Sequence, residues 1–142
     1  MKTVGDVLRV KGNAVLAAEP DATVYHALTV MAEKNIGALV VREGERVVGI
    51  FSERDYARQV ILKGKASKET TVREIMTARV VYVRPAQTID DCMALMTDKR
   101  IRHLPVMDEG QLIGLLSIGD VVKAVISEKQ FLIEQLENYI TS

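Results

Sequence analysis

The chain has 142 residues, 48% hydrophobic and 27% charged, a size and composition suited to one soluble compact domain or two small fused ones. Nineteen basic residues balance nineteen acidic ones and aromatics make up 4%, which speaks against a nucleic-acid binder, whose affinity rests on basic excess and base stacking. No apolar run approaches the ~18 residues of a membrane span, no secretory signal opens the chain, and a lone cysteine, Cys92, excludes a disulfide framework and fits the cytoplasm.

In chain order, a short strand (Ala14–Ala17) and Pro20 precede Thr23, whose hydroxyl is placed to cap a helix. In that helix Val24, Ala27, Leu28 and Met31 follow the i, i+3, i+4, i+7 spacing of an apolar face. Ala38-Leu39-Val40-Val41 has strand length, Glu43-Gly44-Glu45 makes a turn, and Val47–Phe51 returns as a second strand. The short turn predicts an antiparallel hairpin. A further helix opens at Ser52, and the polar stretch from Gly64 to Thr70 reads as a loop between two halves.

The same order then recurs. Val80–Val83 is a short strand before Pro85, Thr88 caps a helix with Ile89, Cys92, Met93 and Met96 on one face, and His103-Leu104-Pro105-Val106 and Leu112–Leu116 flank the turn Asp108-Glu109-Gly110. A final helix opens at Ser117. Sliding the sequence by 65 residues gives 12 identities over the 42 positions from 20 to 61 without a gap, far beyond chance for a repeat of this length. The carboxy-terminal tail is also helical in pattern, with Leu132, Leu136, Tyr139 and Ile140 on one face placed to pack on the domain or a second subunit.

Most reaction chemistries lack their parts. There is no phosphate-cradling G-x-x-x-x-G-K-[ST] loop and no dinucleotide G-x-G-x-x-G. One cysteine and two separated histidines, His26 and His103, do not make up the ligand set of a zinc site. Gly49-Ile50-Phe51-Ser52-Glu53 lacks the second glycine of a nucleophile elbow. Asp90-Asp91 stand at a helix start, where they suit the helix dipole. No catalysis is expected, and no metal.

What recurs is Gly49…Ser52…Asp55 and Gly114…Ser117…Asp120. Ser-x-x-Asp has the form of a capping box, in which the hydroxyl and the acid satisfy helix-start N–H groups reciprocally. The same pair at a strand-to-helix turn also suits a ribose or phosphate, since a carboxylate accepts from both ribose hydroxyls. The two readings are compatible.

These residues carry a family resemblance. Val72-Arg73-Glu74-Ile75-Met76-Thr77, the Pro85…Thr88 helix start, Arg102-His103-Leu104-Pro105-Val106 and Gly114-Leu115-Leu116-Ser117-Ile118-Gly119-Asp120 together resemble the cystathionine β-synthase (CBS) domain. The whole chain resembles a stand-alone CBS pair, or Bateman module, over about residues 3–126. The first half departs in lacking the Met-Thr after Val4-Gly5-Asp6-Val7-Leu8, and in having Gly37-Ala38-Leu39-Val40-Val41 where the second has its Arg-His…Pro segment.

The resemblance implies an α+β fold of two pseudo-symmetric repeats. Each is a small three-stranded sheet with flanking helices, the two packed sheet to sheet, with repeats at 3–65 and 66–126 and a helical extension at 127–142. It implies a non-catalytic sensor module for an adenine nucleotide (AMP, ADP, ATP or NAD; relatives also take S-adenosylmethionine) held in clefts between the repeats and acting in signalling or energy sensing. The alternative is a ligand-free scaffold for interaction or dimerisation. By analogy Asp55 and Asp120 hold the ribose hydroxyls and Ser52 and Ser117 contact ribose or phosphate. Adenine wedges near Ala14–Val15 and Val80–Val81, and Thr77 and Pro105 fall within the implied site. Arg102, His103 and Arg54 are phosphate candidates, since a guanidinium fork suits phosphate. The alternative readings are a solvated strand-end charge for Arg102, a helix-surface residue paired with an acid for Arg54, and a cross-hairpin hydrogen-bonding group for His103. Cys92 is assigned to the core and His26 to no role. A homodimer and an effector protein on a separate chain are the implied partners.

Overall fold

The structure is a computed structural model and describes residues 1–141. It divides into two compact units: Val15–Val81, and Met1–Ala14 together with the chain from Tyr82 onward. The opening residues of each repeat, 3–14 and 66–81, fold into the unit built on the remainder of the other repeat.

In the unit Val15–Val81, the elements are β1 (Ala17–Ala18), α2 (Val24–Lys34), β2 (Ala38–Glu43), β3 (Arg46–Ser52), α3 (Glu53–Tyr56) running into a π-helical stretch (Ala57–Ile61), and α4 (Val72–Ile75); α1 (Val4–Lys11) belongs to the other unit. The sheet order is β1-β2-β3, with β1 parallel to β2 and β2 antiparallel to β3. The turn at Gly44-Glu45 closes the hairpin, and Gly44 at φ 63° supplies the left-handed backbone it needs. Val24, Ala27 and Met31 of α2 pack with Leu39, Val41, Phe51, Val60, Val72 and Ile75 as a buried core. The 3.6-residue period of α2 and the two-residue period of the hairpin thus turn their apolar faces to one place.

The other unit holds α1 (Val4–Lys11), α5 (Ile89–Lys99), β4 (His103–Asp108), β5 (Gln111–Ser117) and α6 (Ile118–Thr141). Its sheet is the β4-β5 antiparallel pair. The expected third strand is reduced to one parallel bridge, Val83 to Val106, in which Val83 donates to Pro105 O at 3.0 Å and accepts from Met107 N at 2.9 Å. The first strand of the other half is likewise shifted, to Ala17–Ala18, so Ala14 and Val15 precede it. Edge pairing this short is set by the neighbouring strand, and a local apolar run places it poorly. The tail is no separate element: α6 runs unbroken from Ile118 to Thr141.

Why each linker helix settles where it does is visible in the helix starts. Thr71 and Thr23 form an antiparallel bridge, as do Thr3 and Thr88. Val72 N donates to Ala22 O (2.9 Å) and Val24 N to Thr70 O (2.8 Å); in the other unit Val4 N donates to Gln87 O (2.8 Å) and Ile89 N to Lys2 O (3.1 Å). Two helix N-termini thereby satisfy each other's orphan N–H groups. Capping boxes complete Thr3/Asp6, Thr71/Glu74 and Thr88/Asp91, so Asp91 serves the helix start, as its position suggested. The hairpins carry a β-bulge at equivalent places, Val41/Arg42 and Val106/Met107.

Candidate ligand site

Each unit presents a carboxylate where its hairpin turns into a helix. In the first, β3 ends at Ser52, whose extended backbone (φ −126°, ψ 165°) releases the chain into α3. Ser52 Oγ accepts from Asp55 N (3.2 Å), and Asp55 Oδ2 accepts from both Ser52 N (3.0 Å) and Ser52 Oγ (3.1 Å). The other oxygen, Asp55 Oδ1, accepts from Thr77 Oγ1 at 3.1 Å. Thr77 is delivered by the exit of α4: it exchanges two backbone hydrogen bonds with Ile50 of β3, at 2.9 and 3.0 Å. That approach is close because position 49 is glycine. A Cβ there would lie 2.5 Å from Met76 Sδ and 3.0 Å from Thr77 O.

The second turn repeats the plan with one change. Ser117 N donates to Asp120 Oδ2 (2.8 Å) and Asp120 N to Ser117 Oγ (3.1 Å). Gly114 of β5 faces Leu8 of α1, where a Cβ would come within 2.6 Å of Leu8 Cδ2, matching Gly49 with Met76. Here, however, the linker helix supplies a cation. Lys11 Nζ donates to Asp120 Oδ2 at 2.5 Å and to the Leu115 carbonyl. Burial pushes the Asp120 carboxyl up, but the hydrogen bonds from Lys11 and from Ser117 N–H, with the lysine charge, outweigh it and hold the group below its ordinary value.

Both Ser-x-x-Asp motifs are therefore capping boxes or their equivalent, and both carboxylates are fixed in place. Val15, Ser52, Arg54, Asp55, Thr77 and Val80 fall in one unit; Ala14, Arg102, His103, Pro105, Ser117 and Asp120 fall in the other. Ala14 is exposed, and Val15 and Val80 are half-buried. Arg54 and Arg102 are exposed, His103 is half-buried opposite Ser117 at the start of β4, and Pro105 is buried opposite Leu115. The Arg102 carbonyl accepts from Ile118 N at 2.8 Å and so seals the start of α6; Gly37 O does the same for Glu53 N at 3.1 Å. Lys11 escaped the reading of the sequence. The signal available for it was only a basic residue in the last turn of an amphipathic helix.

Among the described residues no cluster of His, Cys, Asp and Glu could hold a metal ion, and no helix is long and apolar enough to cross a membrane. Cys92 is buried in the core, and its thiol is pushed up to about 11, first by burial and then by the Asp91 charge.

Comparison with known proteins agrees with this architecture. A mitochondrial CBS domain-containing protein of Arabidopsis thaliana is 43% identical over 147 aligned positions, covering 97% of this chain and 71% of the plant protein. The solved structure of a CBS-domain protein from Burkholderia ambifaria is 53% identical, covers 89% of this chain and 95% of that one, and superposes with a TM-score of 0.86. A more distant CBS domain pair, solved in complex with 5′-methylthioadenosine and S-adenosyl-L-methionine, shares the fold at TM-score 0.78 with 22% identity, over 90% of this chain and 98% of that one. The CBS domain family model matches residues 4–61 and 72–127. The chain is a member of the CBS domain family, with an α+β fold carrying two CBS repeats.

Proposed function

We propose that the chain is a regulatory module that binds an adenine nucleotide or nucleoside (AMP, ADP, ATP, NAD or an S-adenosyl compound) at its strand-to-helix turns and catalyses no reaction. The observation that carries this is the held carboxylate: Asp55 is locked by Ser52 and Thr77, and Asp120 by Ser117 and Lys11. A rigid acceptor beside a hydroxyl is the donor–acceptor set that a ribose cis-diol requires, and preorganisation lowers the cost of binding. The distant CBS pair that holds two adenosyl compounds lends the ligand class. Ser52, Asp55 and Thr77 would serve one ribose, with adenine near Val15 and Val80. Ser117 and Asp120 would serve another, near Ala14, Arg102, His103 and Pro105. Lys11 is then the cation that a phosphate draws off Asp120, while Arg54 and Arg102 offer further forks. A ligand with different affinity for two arrangements of the module would shift their populations and alter the surface that a separate effector reads. We place this action in the cytoplasm, in a homodimer.

One observation favours a scaffold instead: the capping boxes account for both Ser-Asp pairs with no ligand at all. Titration calorimetry on protein stripped of nucleotide separates the two readings. AMP, ATP and S-adenosylmethionine should give saturable heats that GMP does not. Asp55→Asn and Asp120→Asn should each weaken a site by about 10- to 150-fold, the equivalent of ~1.5–3 kcal/mol for a hydrogen bond to a charged group. Silence with every adenine compound would leave the scaffold.

A further inference from the structure

The last helix carries more apolar surface than its own unit covers. Among its described residues Val121 and Ala124 are buried, whereas every residue from Lys129 to Ile140 is exposed. That segment, about 18 Å long at ~1.5 Å per residue, includes Phe131, Leu132, Ile133, Leu136, Tyr139 and Ile140. A helical segment so short and so wet is marginal unless a second surface covers it.

Its side chains are ordered for such a surface. Ile126, Ile133 and Ile140 recur at seven-residue intervals, and Val122, Lys129 and Leu136 form a second row at the same interval. Together these make the two rows of a coiled-coil seam. Lys123, Gln130 and Glu137 run alongside as a polar flank. Lys129 decides the orientation. A parallel pair in register sets Lys129 against Lys129 inside the seam, like charge on like charge. An antiparallel pair with its two-fold axis near Gln130 brings Lys123 to Glu137 of the second copy, and the reciprocal pair forms by symmetry. Ile126 then meets Leu136 of the second copy and Val122 meets Ile140. Lys129 lies beside the second copy's Ile133, its stem covering apolar surface while the ammonium reaches water. Charge and apolar rows thus agree in one register.

We infer that the exposed face of α6 is a self-association surface, an antiparallel two-helix seam with a second copy of this chain. A lipid surface is the poorer fit. Glu128, Glu134 and Glu137 outweigh Lys129 between residues 127 and 140, the wrong sign for an anionic membrane. The inference rests on the homodimer part of the proposed function and is independent of nucleotide binding.

Sedimentation equilibrium of the full chain, with far-ultraviolet circular dichroism as the folding control, tests it. The expected result is a dimer that becomes monomeric in Ile133→Asp, a fully folded variant because that side chain is exposed. Lys123→Glu should weaken association by about 10-fold or more, and adding Glu137→Lys should restore it. A dimer indifferent to Ile133→Asp would keep the homodimer and overturn the α6 seam. A charge-swapped double variant that stays weak would overturn the antiparallel register. A monomeric wild type, or one that associates with anionic phosphatidylserine vesicles in place of itself, would overturn both.

Discussion

Lys11 and Asp120, 109 positions apart, form an ion pair in which Nζ also reaches the Leu115 carbonyl. It fastens the end of α1 to the turn between β5 and α6. Both side chains are partly exposed, so the pair itself should contribute about 1 kcal/mol or less, and Lys11→Met should cost no more than that at neutral pH. The pH dependence is more telling. The Asp120 carboxyl is held below its ordinary value of 3.8, so its contribution is complete above that value and is lost as the pH falls through the lower native one. Urea midpoints measured from about pH 6 to about pH 3 should fall less steeply in Lys11→Met than in the wild type. Parallel slopes would detach Lys11 from the titration of Asp120.

The same lysine separates the two turns chemically, since Thr77 stands on Asp55 where Lys11 stands on Asp120. If Lys11 moves to a phosphate when ligand binds, Lys11→Ala should weaken ATP by about 10-fold while leaving adenosine within about 2-fold, in line with ~1.5 kcal/mol or more for a charge-assisted bond. Calorimetry with both ligands on one protein preparation reads the difference directly. Equal losses for the two would assign Lys11 to positioning Asp120.

Gly49 and Gly114 are tight for the same reason in the two units. Alanine at 49 would meet Met76 Sδ at 2.5 Å and the Thr77 carbonyl at 3.0 Å, whereas the nearest atoms to an alanine at 114 all belong to the Leu8 side chain, the first at 2.6 Å. A flexible side chain can yield and a backbone oxygen yields less. Gly49→Ala should therefore cost more than Gly114→Ala within the ~1–3 kcal/mol usual for overpacking, and Leu8→Ala should relieve Gly114→Ala in part. Chemical denaturation of the two singles and the double measures all three.

Cys92 should behave as a core residue. Its thiol, pushed up to about 11 by burial and the Asp91 charge, stays protonated at neutral pH, so a disulfide reagent should modify it only as fast as the chain unfolds. Because the native value lies above the unfolded one of 9.0, the thiol's contribution is complete below that value and fades as the pH rises through about 11. Rapid labelling of native protein near pH 8, a unit below the unfolded value, would contradict its burial.

The sequence made the amphipathic helices legible because their signal is local. Val24, Ala27 and Met31, and Ile89, Cys92 and Met96, are buried as the period requires, and Thr23 and Thr88 cap where they stand. The hairpins are legible for the same reason. The first strands are not: Val83 makes one bridge and Ala14–Val15 none, since an edge strand is defined by its neighbour. The grouping of α1 with the second repeat and α4 with the first depends on Thr3–Thr88 and Thr23–Thr71 pairings across the chain, which no local pattern carries. The carboxylates of the candidate site stand out through repetition. Lys11 does not, because its pairing with Asp120 spans 109 positions and no local pattern carries it.

Thermal unfolding of nucleotide-free protein against AMP, ADP, ATP, NAD, S-adenosylmethionine and GTP tests the sensor claim most directly. A ligand at ~100 times its dissociation constant adds ~2.7 kcal/mol, which raises the midpoint by several degrees in a chain of this size. At least one adenine compound should produce that rise, GTP should not, and the double variant Asp55→Asn/Asp120→Asn should lose it. A midpoint unmoved by every adenine compound, or a rise that survives in the double variant, would contradict the account.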